Sequence, residues 1–377
     1  MKARSTFSLK DHLFNAERVD YLATRFEEVH PDFPGDAFRA SVTSAFPGLE
    51  LKERIAHIAT RLEGCLPSGY REALAIIIRA LPPELDPTRT DADYGEFILA
   101  PLPHFVAIHG CTTEHLERSL DAIRQITKRF SAEDAVRYFL NGFPAETLEF
   151  LRDCARDDHY HVRRLASEST RPLLPWAQRL TIDHRAPLSI LDMLFADGTR
   201  YVTRSVANHL NDVSKLEPEL VIETLKRWRA SKQQAPAEMQ YITKHALRTL
   251  IKRGHVQALE LIGFEPEADI TVVSLMTSTP HVRVGESFRF SLTLRADRRA
   301  NLLVDYVMTF AGDGRSTRQK VFKLKEVELD AGQSVTLTKA HPMRLMTTRR
   351  LYAGEHRLAV QVNGQPRGTL TFDLLTE

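Results

Sequence analysis

Residues 157–174 read DDHYHVRRLASESTRPLL, and residues 197–214 read DGTRYVTRSVANHLNDVS. Each stretch opens on aspartate and continues with an aromatic residue, a valine and an arginine (Tyr160, Val162, Arg164; Tyr201, Val202, Arg204). A run of small residues follows in both. An echo at a period of about forty residues, carried on helical segments, is the mark of stacked helix pairs and points to a HEAT-like solenoid. Such arrays curve, and their concave face is a natural groove for an extended ligand.

The flanking sequence agrees. LELKERIAHIATRLEGCL places Leu51, Ile55, Ile58 and Leu62 on one helical face, and TEHLERSLDAIRQITKRF does the same with Leu116, Leu120, Ile123 and Ile126. Further helices are expected over AEDAVRYFLNGF, AETLEFLRDCARD, LSILDMLFAD, PELVIETLKRWRAS and AEMQYITKHALRTLIKRG. From Asp269 the apolar period changes to two. Segments such as ESFRFSLTLRA, QKVFKLKEVEL and EHRLAVQVNG read as short strands separated by turn residues, about seven of them in all, which predicts an immunoglobulin-like sandwich. The expected architecture is therefore mainly α. A helical-repeat domain covers residues 1–265, GFEPEAD at 263–269 is the linker, and a small all-β domain covers 269–377.

Composition bounds the function. The 377 residues carry a formal net charge of +2, unevenly distributed: residues 269–377 have 16 basic against 11 acidic side chains, and residues 200–256 have 11 against 5. Two basic regions on a balanced chain suit a polyanion, whereas scattered solvated charges are the bland alternative. The three cysteines, Cys65, Cys111 and Cys154, form no CxxC pair, so neither a zinc site nor a redox motif is indicated, and no cofactor is expected. No signal peptide or transmembrane run is visible, which predicts a cytoplasmic protein without a membrane partner. Phosphate-loop, HExxH and GxSxG motifs are missing.

Individual residues first receive their ordinary readings. Glu168 lies four residues after Arg164 and three before Arg171, the spacing of a surface ion pair. Ser131 is placed to cap a helix with Glu133 in its first turn, where the macrodipole favours a carboxylate. Trp176, behind Pro175, reads as a core anchor between repeats. Asp212 sits near a helix C-terminus, an unfavourable place for a carboxylate, which tips it towards function. His209 has no partner at metal-ligand spacing.

FSAEDAVRYFL, HVRRLASESTRPLLPWAQRL and RSVANHLNDVSK occur in order and resemble the core signatures of the AlkC branch of the AlkC/AlkD family of DNA alkylation-repair glycosylases. FNAERVDYLATRFEEVHPDF near the start is similar to that branch. VGESFRFSLTL, FKLKEVEL and YAGEHRLAVQVNG resemble the immunoglobulin-like domain that some of its members carry. The resemblance implies a fold that wraps duplex DNA. It implies excision of 3-methyladenine and 3-methylcytosine without the deep pocket of base-flipping enzymes. Glu133, Glu168 and Trp176 match the family's active-site positions, and Asp212 is a further catalytic candidate. Arg163 and Arg164 match paired basic positions suited to the DNA backbone. Arg137, His161, Arg171 and Arg204 are further expected duplex contacts, as are Asn208 and Lys215. Arg349 and Arg350, in the same stretch as Arg344, are expected to make the sandwich a clamp. Ser169 and Leu173 depart from the pattern, where glycine and a basic residue are usual; the second removes one DNA contact.

In the chemistry so implied, a base methylated at N3 is cationic and already a good leaving group. The carboxylates then stabilise an oxocarbenium-like sugar and position water. The indole presents an electron-rich face to the cation, and the arginines pin phosphates. A monofunctional glycosylase is expected, since the matched segments contain no lysine before Lys215 to serve a lyase, and the protein is expected to be a monomer. The competing reading is a non-catalytic helical scaffold that binds distorted DNA or a protein partner.

Overall fold

The computed structural model describes residues 8–89, 94–312, 317–345 and 350–375. Its helices begin with α1 (Leu9–Leu13), α2 (Ala16–Val29), α3 (Gly35–Thr43), α4 (Leu51–Glu63) and α5 (Tyr70–Arg79). They continue with α6 (Pro101–Gly110), α7 (Leu116–Thr127), α8 (Glu133–Gly142), α9 (Pro144–Cys154), α10 (Tyr160–Glu168) and α11 (Leu188–Leu194). The last are α12 (Arg200–Val213), α13 (Pro218–Ser231), α14 (Pro236–Ala246), α15 (Arg248–Lys252) and α16 (Val256–Leu261). Among the described residues no helix is long and apolar enough to cross a membrane.

Alternate helices stack. α4 packs on α6 and α6 on α8; α10 packs on α12 and α12 on α14; α5, α7 and α9 form a second layer against them. The forty-residue echo thus appears as α10 and α12 side by side, with the Tyr160 and Tyr201 rings edge to face at 5.7 Å. The aspartate that opens each echo has a shared role. Asp157 Oδ1 accepts from the His159 amide at 2.9 Å, and Asp197 Oδ1 accepts from the Thr199 amide at 2.8 Å, so each fixes the turn into its helix. Arg163 ties the two turns together, donating to the carbonyls of Asp157 and Asp158 and to the Asp197 carboxylate.

The chain divides into two compact units: residues 1–213 with 228–246, and residues 214–227 with 247–377. By packing, α15 and α16 go with the sandwich, so the division falls ahead of the 263–269 stretch that the sequence suggested. The run expected as one helix over 237–254 is divided at Leu247 into α14 and α15.

In the second unit all seven expected strands form: β1 (Ile270–Thr277), β3 (Ser287–Ala296), β4 (Ala300–Phe310), β5 (Arg318–Leu329), β6 (Ser334–Pro342), β7 (Gly354–Val362) and β8 (Gln365–Leu375). An eighth, β2 (His281–Arg283), pairs parallel to β8 and is too short to show a period. Two sheets, β1-β3-β6 and β2-β8-β7-β4-β5, enclose a core that includes Phe288, Leu292, Tyr306, Leu358 and Phe372. The β7–β8 turn is Asn363-Gly364 with φ of +47° and +78°, the conformation a two-residue hairpin demands. Gly364 is obligatory for a second reason: a Cβ there would lie 2.3 Å from the Gly254 Cα.

Candidate active site

Helix α10 carries five ionisable side chains or imidazoles and a serine, yet eight of its nine residues are buried. Charges taken out of water must be paired or they destabilise the fold. Here they form one alternating chain. Arg164 meets Glu133 on one side and Glu168 on the other, each with an N···O separation of 3.5 Å. Arg171 donates to Glu168 at 2.7 Å and to Asp212 at 3.0 Å. The order is Glu133, Arg164, Glu168, Arg171, Asp212, contributed by α8, α10, the turn after α10, and α12.

The environment of each group follows. Burial opposes the ionisation of Glu168, but Arg164 and Arg171, together with the Ser205 hydroxyl at 2.6 Å, hold its carboxyl below the ordinary value. Burial likewise opposes the charge on Arg164; Glu133 and Glu168 outweigh it and raise the guanidinium above its ordinary value. The Arg164 guanidinium also lies 4.6 Å from the centroid of the Tyr201 ring. Behind Asp212, His209 is fully buried, donates from Nδ1 to the Ser167 carbonyl at 3.1 Å, and is pushed down to about 4 by that burial, so its ring is neutral.

Only one end of this chain opens outward. Glu133 lines a cleft of about 250 Å³ with Lys52, Tyr94, Phe97, His104, Asp134 and Trp176. Glu168 and Asp212 are 5% and 2% exposed and stand one and two guanidiniums behind it. Ser131 does not cap α8: the N-cap is Ala132, and the Ser131 hydroxyl accepts from Arg164 and donates to the Glu133 carboxylate. The ordinary reading of Glu168 as a surface pair is also overturned, since its partners are right but its carboxylate is buried.

Trp176 is not a core anchor. Its side chain is 78% exposed at the cleft, and its backbone has φ +64°, a left-handed conformation that few non-glycine residues adopt. The loop that carries it is tied to α8. Arg137 is wholly buried and donates to the carbonyls of Ser169, Arg171 and Gln178 at 2.8–2.9 Å. Asn141 donates to the Arg179 carbonyl at 2.9 Å and accepts from the Thr181 amide at 3.0 Å. Glu133, Arg137 and Asn141 recur every four residues and so share one face of α8.

Several expected duplex contacts are corrected by this packing. Arg137, Arg164 and Arg171 are buried with their guanidinium groups bound to carbonyls or carboxylates, and His161 is buried among Tyr160, His159 and Tyr201. None presents a surface to a phosphate. Arg163 is half-buried and engaged by Asp197. Arg204 and Asn208 are half-buried on α12, and Asn208 bonds His245 at 2.8 Å. Lys215, Arg344 and Arg350 are exposed, while Arg349 lies outside the described residues. Sequence reasoning missed Lys52 and Asn141. The four-residue spacing from Glu133 would have flagged the asparagine; nothing local marks the lysine. Among the described residues no cluster of side chains could hold a metal ion.

A helix-pair array followed by an immunoglobulin-like sandwich is an architecture with known relatives. A family model described as "Uncharacterised protein YhaZ, C-terminal Ig-like domain" matches residues 271–376. Over 367 residues the chain is 32% identical to the Bacillus subtilis (strain 168) protein named uncharacterized protein YhaZ, with 96% of this chain and 98% of that protein covered. The solved structure of the Pseudomonas fluorescens alkylpurine DNA glycosylase AlkC, bound to DNA containing an abasic site analog, is 34% identical with a TM-score of 0.87 and covers 98% of this chain and 100% of that one. The chain belongs to the AlkC family.

Proposed function

We propose that the protein is a monofunctional DNA glycosylase that hydrolyses the N-glycosidic bond of cationic alkylated bases, 3-methyladenine and 3-methylcytosine, in duplex DNA. It acts as a monomer and leaves the damaged nucleotide outside any deep base pocket. The observation that carries this reading is the pairing, at one cleft, of the outermost carboxylate of a buried charge chain with an exposed indole held in a strained backbone.

The chemistry follows from the leaving group. A base carrying a positive charge departs without protonation, so the barrier lies in the developing charge at C1′. Glu133 is the carboxylate placed to meet that charge. The chain of three carboxylates and two guanidiniums has one formal negative charge in excess, and Glu133 is its end at the cleft. Water drawn to the same carboxylate is oriented for attack as the bond breaks. Glu168 acts through Arg164: it holds the guanidinium that positions Glu133 and the Ser131 hydroxyl. Trp176 offers its π-face to the cationic sugar or base. Exposed cations such as Lys215 and Arg350, with Arg204 on α12, supply the sequence-independent contacts to phosphate.

The test is release of free base from methylated duplex DNA, quantified by chromatography, for the wild type and for Glu168→Gln. Release of 3-methyladenine by the wild type, lost in the variant while folding and DNA binding persist, supports the reading. A folded, DNA-binding wild type that releases no base would instead favour a non-catalytic scaffold.

A further inference from the structure

Lys52 is absent from every motif that points to this function, yet it lines the cleft beside Glu133 and Trp176. It lies on α4, 124 residues before Trp176, and its Nζ donates to the Trp176 carbonyl. The same ammonium stands 3.7 Å from the Asp134 carboxylate, on the first turn of α8.

Three features turn this contact into an argument. First, a tryptophan at φ +64° lacks the conformational ease of glycine and persists only where its surroundings over-determine it. Second, the other restraints on the loop hold its flanks. Arg137 binds the carbonyls of residues 169, 171 and 178, and Asn141 binds that of 179. The carbonyl of Trp176 itself is held by Lys52. Third, Lys52 occupies the first turn of α4, between Glu50 and Glu53 of the capping box. A cation there opposes the helix dipole, so helix stability does not account for it.

We propose that Lys52 is a positioning residue for the cleft: its ammonium locks Trp176 in the left-handed conformation that keeps the indole at the cleft mouth, and Asp134 orients the ammonium. The role rests on the glycosylase reading for its catalytic consequence, but the lock itself does not depend on that reading.

The protein has two tryptophans, and Trp228 is buried against Phe195 with its Nε1 bonded to Asp192 at 2.7 Å. Time-resolved fluorescence anisotropy, with Trp176→Phe as the Trp228 background, therefore reports Trp176 alone. In Lys52→Met the nanosecond motion of Trp176 is expected to increase. Single-turnover excision of 3-methyladenine should fall on the order of ten- to a hundredfold, as for a misplaced reacting group. Affinity for duplex DNA should stay within about twofold, because one tether and no phosphate contact is lost. Lys52→Arg, which keeps the donor, should restore both signals. Unchanged Trp176 motion in Lys52→Met would overturn the proposal. So would a loss of DNA affinity with a salt dependence flatter by about one, the signature of a phosphate contact. A wild type that releases no base would defeat the glycosylase reading, and the anisotropy comparison would still decide the role of Lys52.

Discussion

Replacing Glu133 by glutamine removes one charge at the cleft and keeps the side chain's shape. The carboxylate lies at the first position of α8, with both oxygens 3.5 Å from the Arg164 guanidinium. A unit negative charge about 5 Å from a developing positive one, at an effective dielectric constant of about 20, stabilises it by about 3 kcal/mol. Arg164 offsets part of this, leaving about 2 kcal/mol, or roughly a thirtyfold loss in rate as a lower figure and about two hundredfold as an upper one. Folding should suffer less than the chemistry. Arg164 retains Glu168 and Ser131, so the cost is about 1 to 2 kcal/mol from the helix-dipole and residual ion-pair losses. The assay is single-turnover release of 3-methyladenine at saturating enzyme, with denaturant unfolding and DNA affinity measured on the same sample. A rate within about threefold of wild type, in a variant that folds and binds, would refute the field argument. A parallel loss of DNA binding would refute the assignment of Glu133 to the chemical step.

Other perturbations separate the loop, the core and the cleft. Arg137→Met deprives three carbonyls of a buried donor and should destabilise the helical unit by about 3 kcal/mol, read by denaturant unfolding, with increased motion of Trp176. Trp176→Gly should do the reverse: relief of the left-handed strain leaves stability unchanged or raised by up to about 1 kcal/mol, while base excision collapses. A marked loss of stability would mean that the indole is packed, contrary to its exposure. His209 predicts a pH dependence. Its folded value of about 4 lies below the ordinary 6.5, so the unfolded chain takes up the proton first as pH falls. That contribution, about 3 kcal/mol, is complete above pH 6.5 and is lost as pH falls towards 4. Denaturant unfolding at pH 7 and pH 5 should show a steeper loss for the wild type than for His209→Asn; equal slopes would exclude the buried imidazole as the cause.

Much of this was readable from periodicity. The helical faces of α4 and α7, the change to period two at Asp269 and the turns between the strands are local patterns, and each element formed where its pattern lay. The echo of residues 157–174 in 197–214 identified two neighbours in the stack because each repeat must bury the same face against the next. Local rules failed where a distant partner intervened or an element was too short. Ser131 has the right chemistry and nearly the right place for a cap, but the Glu133 carboxylate and, from α10, the Arg164 guanidinium offered its hydroxyl stronger, charge-assisted partners. β2 was missed because three residues cannot display an alternation.

The charged residues mark the boundary between what the chain declares and what folding decides. The spacing of Arg164, Glu168 and Arg171 predicts that they meet, as i, i+3 and i+4 geometry requires. It does not say whether they meet in water or under a layer of protein. That depended on Glu133, Ser205 and Asp212 arriving from helices 31 to 41 residues away. Together they turn a surface ion pair into a buried chain with one end at the cleft. The same holds for Trp176, exposed because Arg137 and Lys52 fasten its loop, and for Arg137, Arg164 and Arg171, expected on DNA but buried. Local sequence determined the type and order of the elements, because backbone propensity and apolar period act over a few residues. Tertiary structure decided which charges are desolvated, because desolvation depends on neighbours that only the folded chain brings together.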